Sequence, residues 1–184
     1  MYNVYLTSKR FDSPARNLRN AIFNELKKRG VNGIKIGNSQ DVLNMFRSHE
    51  TFKIAIAFDF YKDGMKGSGI TLNEDCSSIS RDFAYTLSSN YDVITPMISW
   101  RDIRFVDSYD KEWFRFFNNI SANTKMIFHL CTYNNPSDKD EFHTSFEKIV
   151  NLFVEEIVRC LRSECDSDNY RKRVEIAKMK KNKR

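Results

Sequence analysis

A chain of 184 residues can bury one hydrophobic core and is short for two independent domains. Hydrophobic residues at 41% and charged residues at 29% exclude extensive disorder, and no run reaches the ~20 apolar residues of a membrane span. The opening MYNVYLTSKRF lacks the basic start and apolar stretch of a secretory signal, so a cytoplasmic protein is expected.

The net charge of +6 is local. Arg171, Lys172, Arg173, Lys178, Lys180, Lys181, Lys183 and Arg184 face a single Glu in the closing segment, which carries +7, whereas the preceding 170 residues carry −1. Residues 166–184 therefore read as a basic tail that either keeps the protein in solution or holds nucleic acid or another anionic polymer through counterion release.

Taken in order, Asn3 to Leu6 alternate as a first strand. Ser13 suits an N-cap and Pro14 the first helical turn. Ala15, Leu18, Ile22 and Leu26 recur at helical spacing before Gly30. Val31 to Ile36 predicts a second strand. Asn38-Ser39 opens a short helix carrying Val42, Leu43, Met45 and Phe46.

The run KIAIAFDF, Lys53 to Phe60, has the continuous apolar character of a strand covered on both faces and belongs in the middle of a sheet. Gly64, Gly67 and Gly69 follow it in a pattern that fits neither GxGxxG nor GxxxxGKS, which removes the usual argument for a nucleotide site. Ile70 to Leu72 returns as a strand, and Ser77, Ser78 and Ser80 cap a helix bearing Phe83, Ala84 and Leu87.

DVITP and DIRFV read as short strand pieces, and Asp110 caps a short aromatic helix through Trp113, Phe116 and Phe117. Met126 to Cys131 is a second buried strand, Asn134-Asn135-Pro136 forces a turn, and Phe142 to Leu161 predicts one long amphipathic helix. Strands alternating with helices imply an α/β fold over residues 1–165. The expected form is a single three-layer domain, a mostly parallel twisted sheet with helices on both faces.

Cys76, Cys131, Cys160 and Cys165 form no CxxC pair and no His stands at finger spacing, so buried thiols are expected rather than a zinc finger. His49 and His143 read as ordinary helix-surface residues. Trp100, Trp113, Phe114, Phe116 and Phe117 read as core packing.

Several segments stand in a telling order: LKKRG closing the first helix, IAIAFDF, GSGITL, SSISRDFAYTL, and NTKMIFHLCTYNNPSDKDEF with Asn135-Pro136 and Asp138. This order resembles the zinc-dependent N-acetylmuramoyl-L-alanine amidases of bacterial cell-wall turnover and phage lysis, over most of residues 3 to 162. The resemblance implies a zinc held by two His and one Glu, with a further Glu to take a proton from the metal-bound water. Laid onto that pattern, the first His falls on Ser8 or Lys9, the Glu ligand near Phe11 or Asp12, the second His on Asp59 and the catalytic Glu on His129.

None of those identities is kept. Either Lys9, Asp59 and His129 form a polar or ion-paired remnant without zinc, or Asp12, Asp59 and His129 make a rearranged zinc or manganese site. A serine nucleophile built from Ser8, His129 and Asp59 lacks a nucleophile elbow. The expected function is an amidase-fold, non-catalytic binding module, bacterial or phage-encoded, with an unidentified protein or polymer ligand at the carboxyl ends of the strands. The alternatives are an active peptidoglycan hydrolase with altered ligands, and anionic-polymer binding through the tail.

Overall fold

The computed structural model describes residues 2–9, 12–38, 41–42, 49–62, 67–107 and 114–163. The basic tail, and with it Leu43, Met45, Phe46, Gly64, Trp113 and Cys165, lies outside these residues. The strands are β1 (Tyr2–Ser8), β2 (Ile34–Asn38), β3 (Thr51–Tyr61), β4 (Ser68–Asn73), β5 (Trp100–Val106) and β6 (Ser121–Thr132). The helices are α1 (Ser13–Lys28), α2 (Ser78–Ile94), α3 (Phe114–Asn119), α4 (Pro136–Thr144) and α5 (Phe146–Ser163).

One sheet carries all six strands in the order β2-β1-β3-β6-β4-β5. The pairs β1/β2, β1/β3 and β3/β6 are parallel, and β4 runs antiparallel to β6 while parallel to β5. The apolar run of β3 indeed lies inside the sheet, between β1 and β6. Its side chains alternate between two cores. Ile54, Ile56, Phe58 and Phe60 pack with Leu18 and Ile22 of α1, Phe83 and Leu87 of α2, and Phe153 and Ile157 of α5. Ala55 and Ala57 face the other way, toward Phe116 and Phe117 of α3.

Helix α1 begins one residue earlier than its cap signal suggests: the Asp12 side chain, not Ser13, accepts from the Ala15 amide at 3.1 Å. At its other end Gly30 takes φ +75°, which ends the helix without a side-chain clash. Ser77 caps α2 through the Ser80 amide.

Two sequence expectations are corrected here. DVITP is no strand: Asp92 to Ile94 complete α2, Thr95 is its C-cap, and the Thr95 hydroxyl donates to Tyr91 O at 2.7 Å. The apolar stripe through Phe83, Leu87 and Tyr91 carries the helix on until Pro96. The long closing helix is likewise two helices. Asn135 caps α4 through the Asp138 amide. At Ser145 the chain breaks, its amide bonded back to Glu141 O and its hydroxyl donating to Ile94 O. Phe142 therefore belongs to α4 and Ile149 to Cys160 to α5, although both stripes enter the same core. Cys131 and Cys160 are buried thiols, and burial pushes that of Cys131 well above the usual range. Among the described residues no helix is long and apolar enough to cross a membrane.

Candidate functional site

The chain leaves β1 toward β2 on one side and returns from β2 to β3 on the other. The carboxyl ends of β1 and β3 thus flank a topological switch point, where open α/β sheets leave a crevice for ligands. Asp59 arrives there because residues 55, 57 and 59 share the sheet face away from α1, α2 and α5. His129 is its register partner on β6. Immediately beyond β1, Lys9 reaches back so that its Nζ lies 2.9 Å from Asp59 Oδ2.

The four strands carry this polar row inward. His129 Nδ1 is 3.9 Å from the same Asp59 oxygen, beyond hydrogen-bond range, and Nε2 is 2.9 Å from Thr71 Oγ1 on β4. Asp59, Thr71 and His129 are all buried, whereas the Lys9 side chain keeps 27% of its surface exposed. The imidazole is covered by the Tyr61 ring, stacked at 4.4 Å and 14°. The Arg101 guanidinium lies 3.8 Å from the centre of that ring and donates to Thr132 Oγ1 at 2.9 Å. Gly69, the antiparallel partner of His129, has to be glycine for this stack, since a β-carbon there would run into the Tyr61 hydroxyl.

Asp138, the acidic residue of the NPSD segment, is fully buried behind the site. Its Oδ2 accepts from the Gly67 amide at 2.8 Å and from the Thr132 amide at 3.1 Å, which pins the start of β4 to the end of β6.

Of the residues singled out from sequence, Lys9, Asp59 and His129 meet. Ser8 does not join them. It pairs in register with Phe58, on the α1 side of the sheet, and its hydroxyl accepts from Arg19 at 3.4 Å. Strand alternation alone separates it from Asp59. Asp12 is occupied as the α1 cap. Desolvation raises its pKa above the ordinary carboxylate value, opposed by the Ala15 amide and by Lys9 and Lys62. His49 is exposed in a turn with φ +51°, and His143, on α4, shares a hydrogen bond of 3.1 Å with the Tyr133 hydroxyl. Thr71, Tyr61 and Arg101 were not foreseen. They enter the site through strand pairing, and the strand glycine at position 69 was the one local sign of a close approach.

A six-stranded, mostly parallel sheet with a polar crevice at its switch point defines an open α/β protein, and solved N-acetylmuramoyl-L-alanine amidases share its fold. The N-acetylmuramoyl-L-alanine amidase from Clostridium difficile 630 aligns over 91% of this chain and 98% of its own, with a TM-score of 0.59 at 15% identity. The catalytic domain of CD27L endolysin targeting Clostridia Difficile aligns over 86% and 98%, with a TM-score of 0.62 at 14% identity. A putative N-acetylmuramoyl-L-alanine amidase from Neisseria meningitidis aligns over 86% and 94%, with a TM-score of 0.59 at 13% identity. At these identities the likeness is one of fold. No family model matches the chain, and no curated protein does.

The zinc that such a fold implies can be tested against the side chains present. Zinc needs three protein donors around an open position. Among the described residues no three His, Cys, Asp or Glu side chains are grouped to hold a metal ion, so the Asp12, Asp59 and His129 arrangement is not assembled. The place beside Asp59 is taken by an ammonium, which would repel a divalent cation. These residues do not fit the metal.

Proposed function

We propose that this chain is a cell-wall-directed module on an amidase fold, which binds its ligand at the carboxyl ends of β1 and β3 without hydrolysing it. The observation that carries the reading is the 2.9 Å contact between Lys9 and Asp59. In a zinc amidase this region supplies an electrophile and an activated water. Here a tethered cation neutralises the carboxylate, and the imidazole is enclosed by Thr71 and Tyr61. Such a site has the means to hold a ligand, and among the described residues no three side chains are grouped to hold the metal that would activate a water.

Co-sedimentation with purified peptidoglycan sacculi tests this directly. The protein is expected to pellet with the sacculi and to release no soluble fragments, whether or not zinc or manganese is added. Release of fragments that a chelator abolishes would overturn the reading, as would failure to pellet.

A further inference from the structure

We infer that β5 is a docking edge whose partner is a second copy of this chain, the two β5 strands pairing antiparallel about Ile103 so that two sheets join into one. Among the described residues β5 ends the strand order, with β4 on one side and no strand on the other. Whether such an edge repels or accepts another depends on what it presents. Here Asp102 and Arg104 are exposed, and Phe105 keeps 38% of its surface in solvent.

One hydrogen bond fixes which way the backbone faces. Val106 O accepts from the Glu74 amide just past β4, so the N–H and C=O of Val106 and, by alternation, of Arg104 point toward β4. Those of Ile103 and Phe105 therefore point outward. The bulge of β5 lies earlier, between Trp100 and Ile103, and leaves this stretch regular.

The side chains select the register. Residues directly opposite in an antiparallel pair share a face, so a two-fold axis has to pass through a residue pair of one kind. Centring on Asp102 or on Arg104 sets like charges against each other, and centring on Phe105 sets Arg104 against Val106. Centring on Ile103 places Asp102 of each copy opposite Arg104 of the other, once on either side of the axis. Ile103, with its backbone outward, then forms the hydrogen-bonded pair, and Asp102 and Arg104 occupy the non-hydrogen-bonded positions, where side chains come closest. Arg104 is engaged within its own chain as well; a guanidinium has several N–H donors and keeps its charge, and the register uses only that sign.

The paired stretch is short, so the dimer is weak, with a dissociation constant of about 100 μM expected. Sedimentation velocity of the full chain from about 10 μM to about 1 mM measures it, the average mass rising toward twice that of the monomer. Asp102→Arg sets like charges opposite each other on both sides of the axis and should weaken association at least about tenfold. Adding Arg104→Asp exchanges the two signs and should restore it. Amide exchange should slow with concentration at Ile103 and Phe105 and stay unchanged at Val106.

A chain that stays monomeric over that range would overturn the inference. So would association that Asp102→Arg leaves intact, that the double exchange does not restore, or that leaves exchange at Ile103 and Phe105 unaltered, since another surface would then be responsible. Should Asp102→Arg fail to fold, Arg104→Glu makes the same like-charge pair and takes its place; if neither folds, the exchange measurement on the wild-type chain decides. Sacculi can pellet a monomer or a dimer, so the loss of this inference leaves the binding-module reading standing, and the reverse holds as well.

Discussion

The Lys9 ammonium joins a partly solvated cation to a carboxylate, Asp59, that is almost wholly removed from water. Removing the cation of such a pair takes charge compensation away from a buried carboxylate, and that penalty exceeds the value of the contact itself. Lys9→Met should therefore destabilise the fold by about 2 kcal/mol, below the full cost of a buried pair because Lys9 reaches solvent. Adding Asp59→Asn to that variant should recover most of the loss. Urea unfolding of the two single variants and the double variant measures the coupling; additive losses would show that the pair does not interact.

Gly69 and Tyr61 make a second coupled pair. A methyl group at position 69 meets the Tyr61 hydroxyl, so Gly69→Ala should push the ring from its stacked position over His129 and cost about 1 to 3 kcal/mol. Because the colliding atom is the hydroxyl, Tyr61→Phe should relieve much of that cost. Thermal unfolding and the imidazole proton resonances of His129 report both effects. If Tyr61→Phe gives Gly69→Ala no relief, the clash lies elsewhere.

The layout of the sheet was legible because its signals are local. The continuous apolar run of β3, the helical stripe from Ala15 to Leu26 and the serine cap of α2 each specify one element without outside help. Errors fell where neighbours decide. DVITP has β-branched residues at strand spacing, yet the buried stripe through Leu87 and Tyr91 keeps it helical. The stripe from Phe142 to Leu161 hides the break at Ser145, because both helices bury it in one core. Within the site, Lys9, Asp59 and His129 were reached only by laying the amidase pattern onto the chain. Ser8 was misplaced by one step of strand alternation. Thr71 and Arg101 reach the cleft through pairings of β4 with β6 and β5, which no local pattern encodes.

Asp138 offers a test in which two substitutions should part company. One oxygen, Oδ2, accepts both the Gly67 and Thr132 amides in a fully buried setting. Asp138→Ala strands two buried donors and should cost about 2 to 4 kcal/mol. Asp138→Asn can offer its amide oxygen in the same place and should cost much less. Gly67 holds φ +128° at the end of that link, so loss of the tie should also speed amide exchange at Gly67 and Thr132. Equal losses for Ala and Asn would mean that the negative charge, not the acceptor, is what the fold uses.

The pH dependence of Asp12 can be worked out from its environment. Desolvation raises its folded-state pKa above 3.8, more than the Ala15 amide, Lys9 and Lys62 lower it. Between the unfolded and folded values the native state then holds more protons than the unfolded chain, so stability falls as pH rises through that window. At neutral pH the ionised Asp12 thus carries a net burial cost, although it still caps α1. Asn keeps the capping oxygen without the charge. Asp12→Asn should therefore be at least as stable as the wild-type chain at pH 7, and should lose any advantage once the pH drops below the unfolded value. Urea titrations at a series of pH values compare the two slopes. A variant that is clearly weaker at pH 7 would show that the charge of the cap, through Lys9 and the helix dipole, outweighs its desolvation.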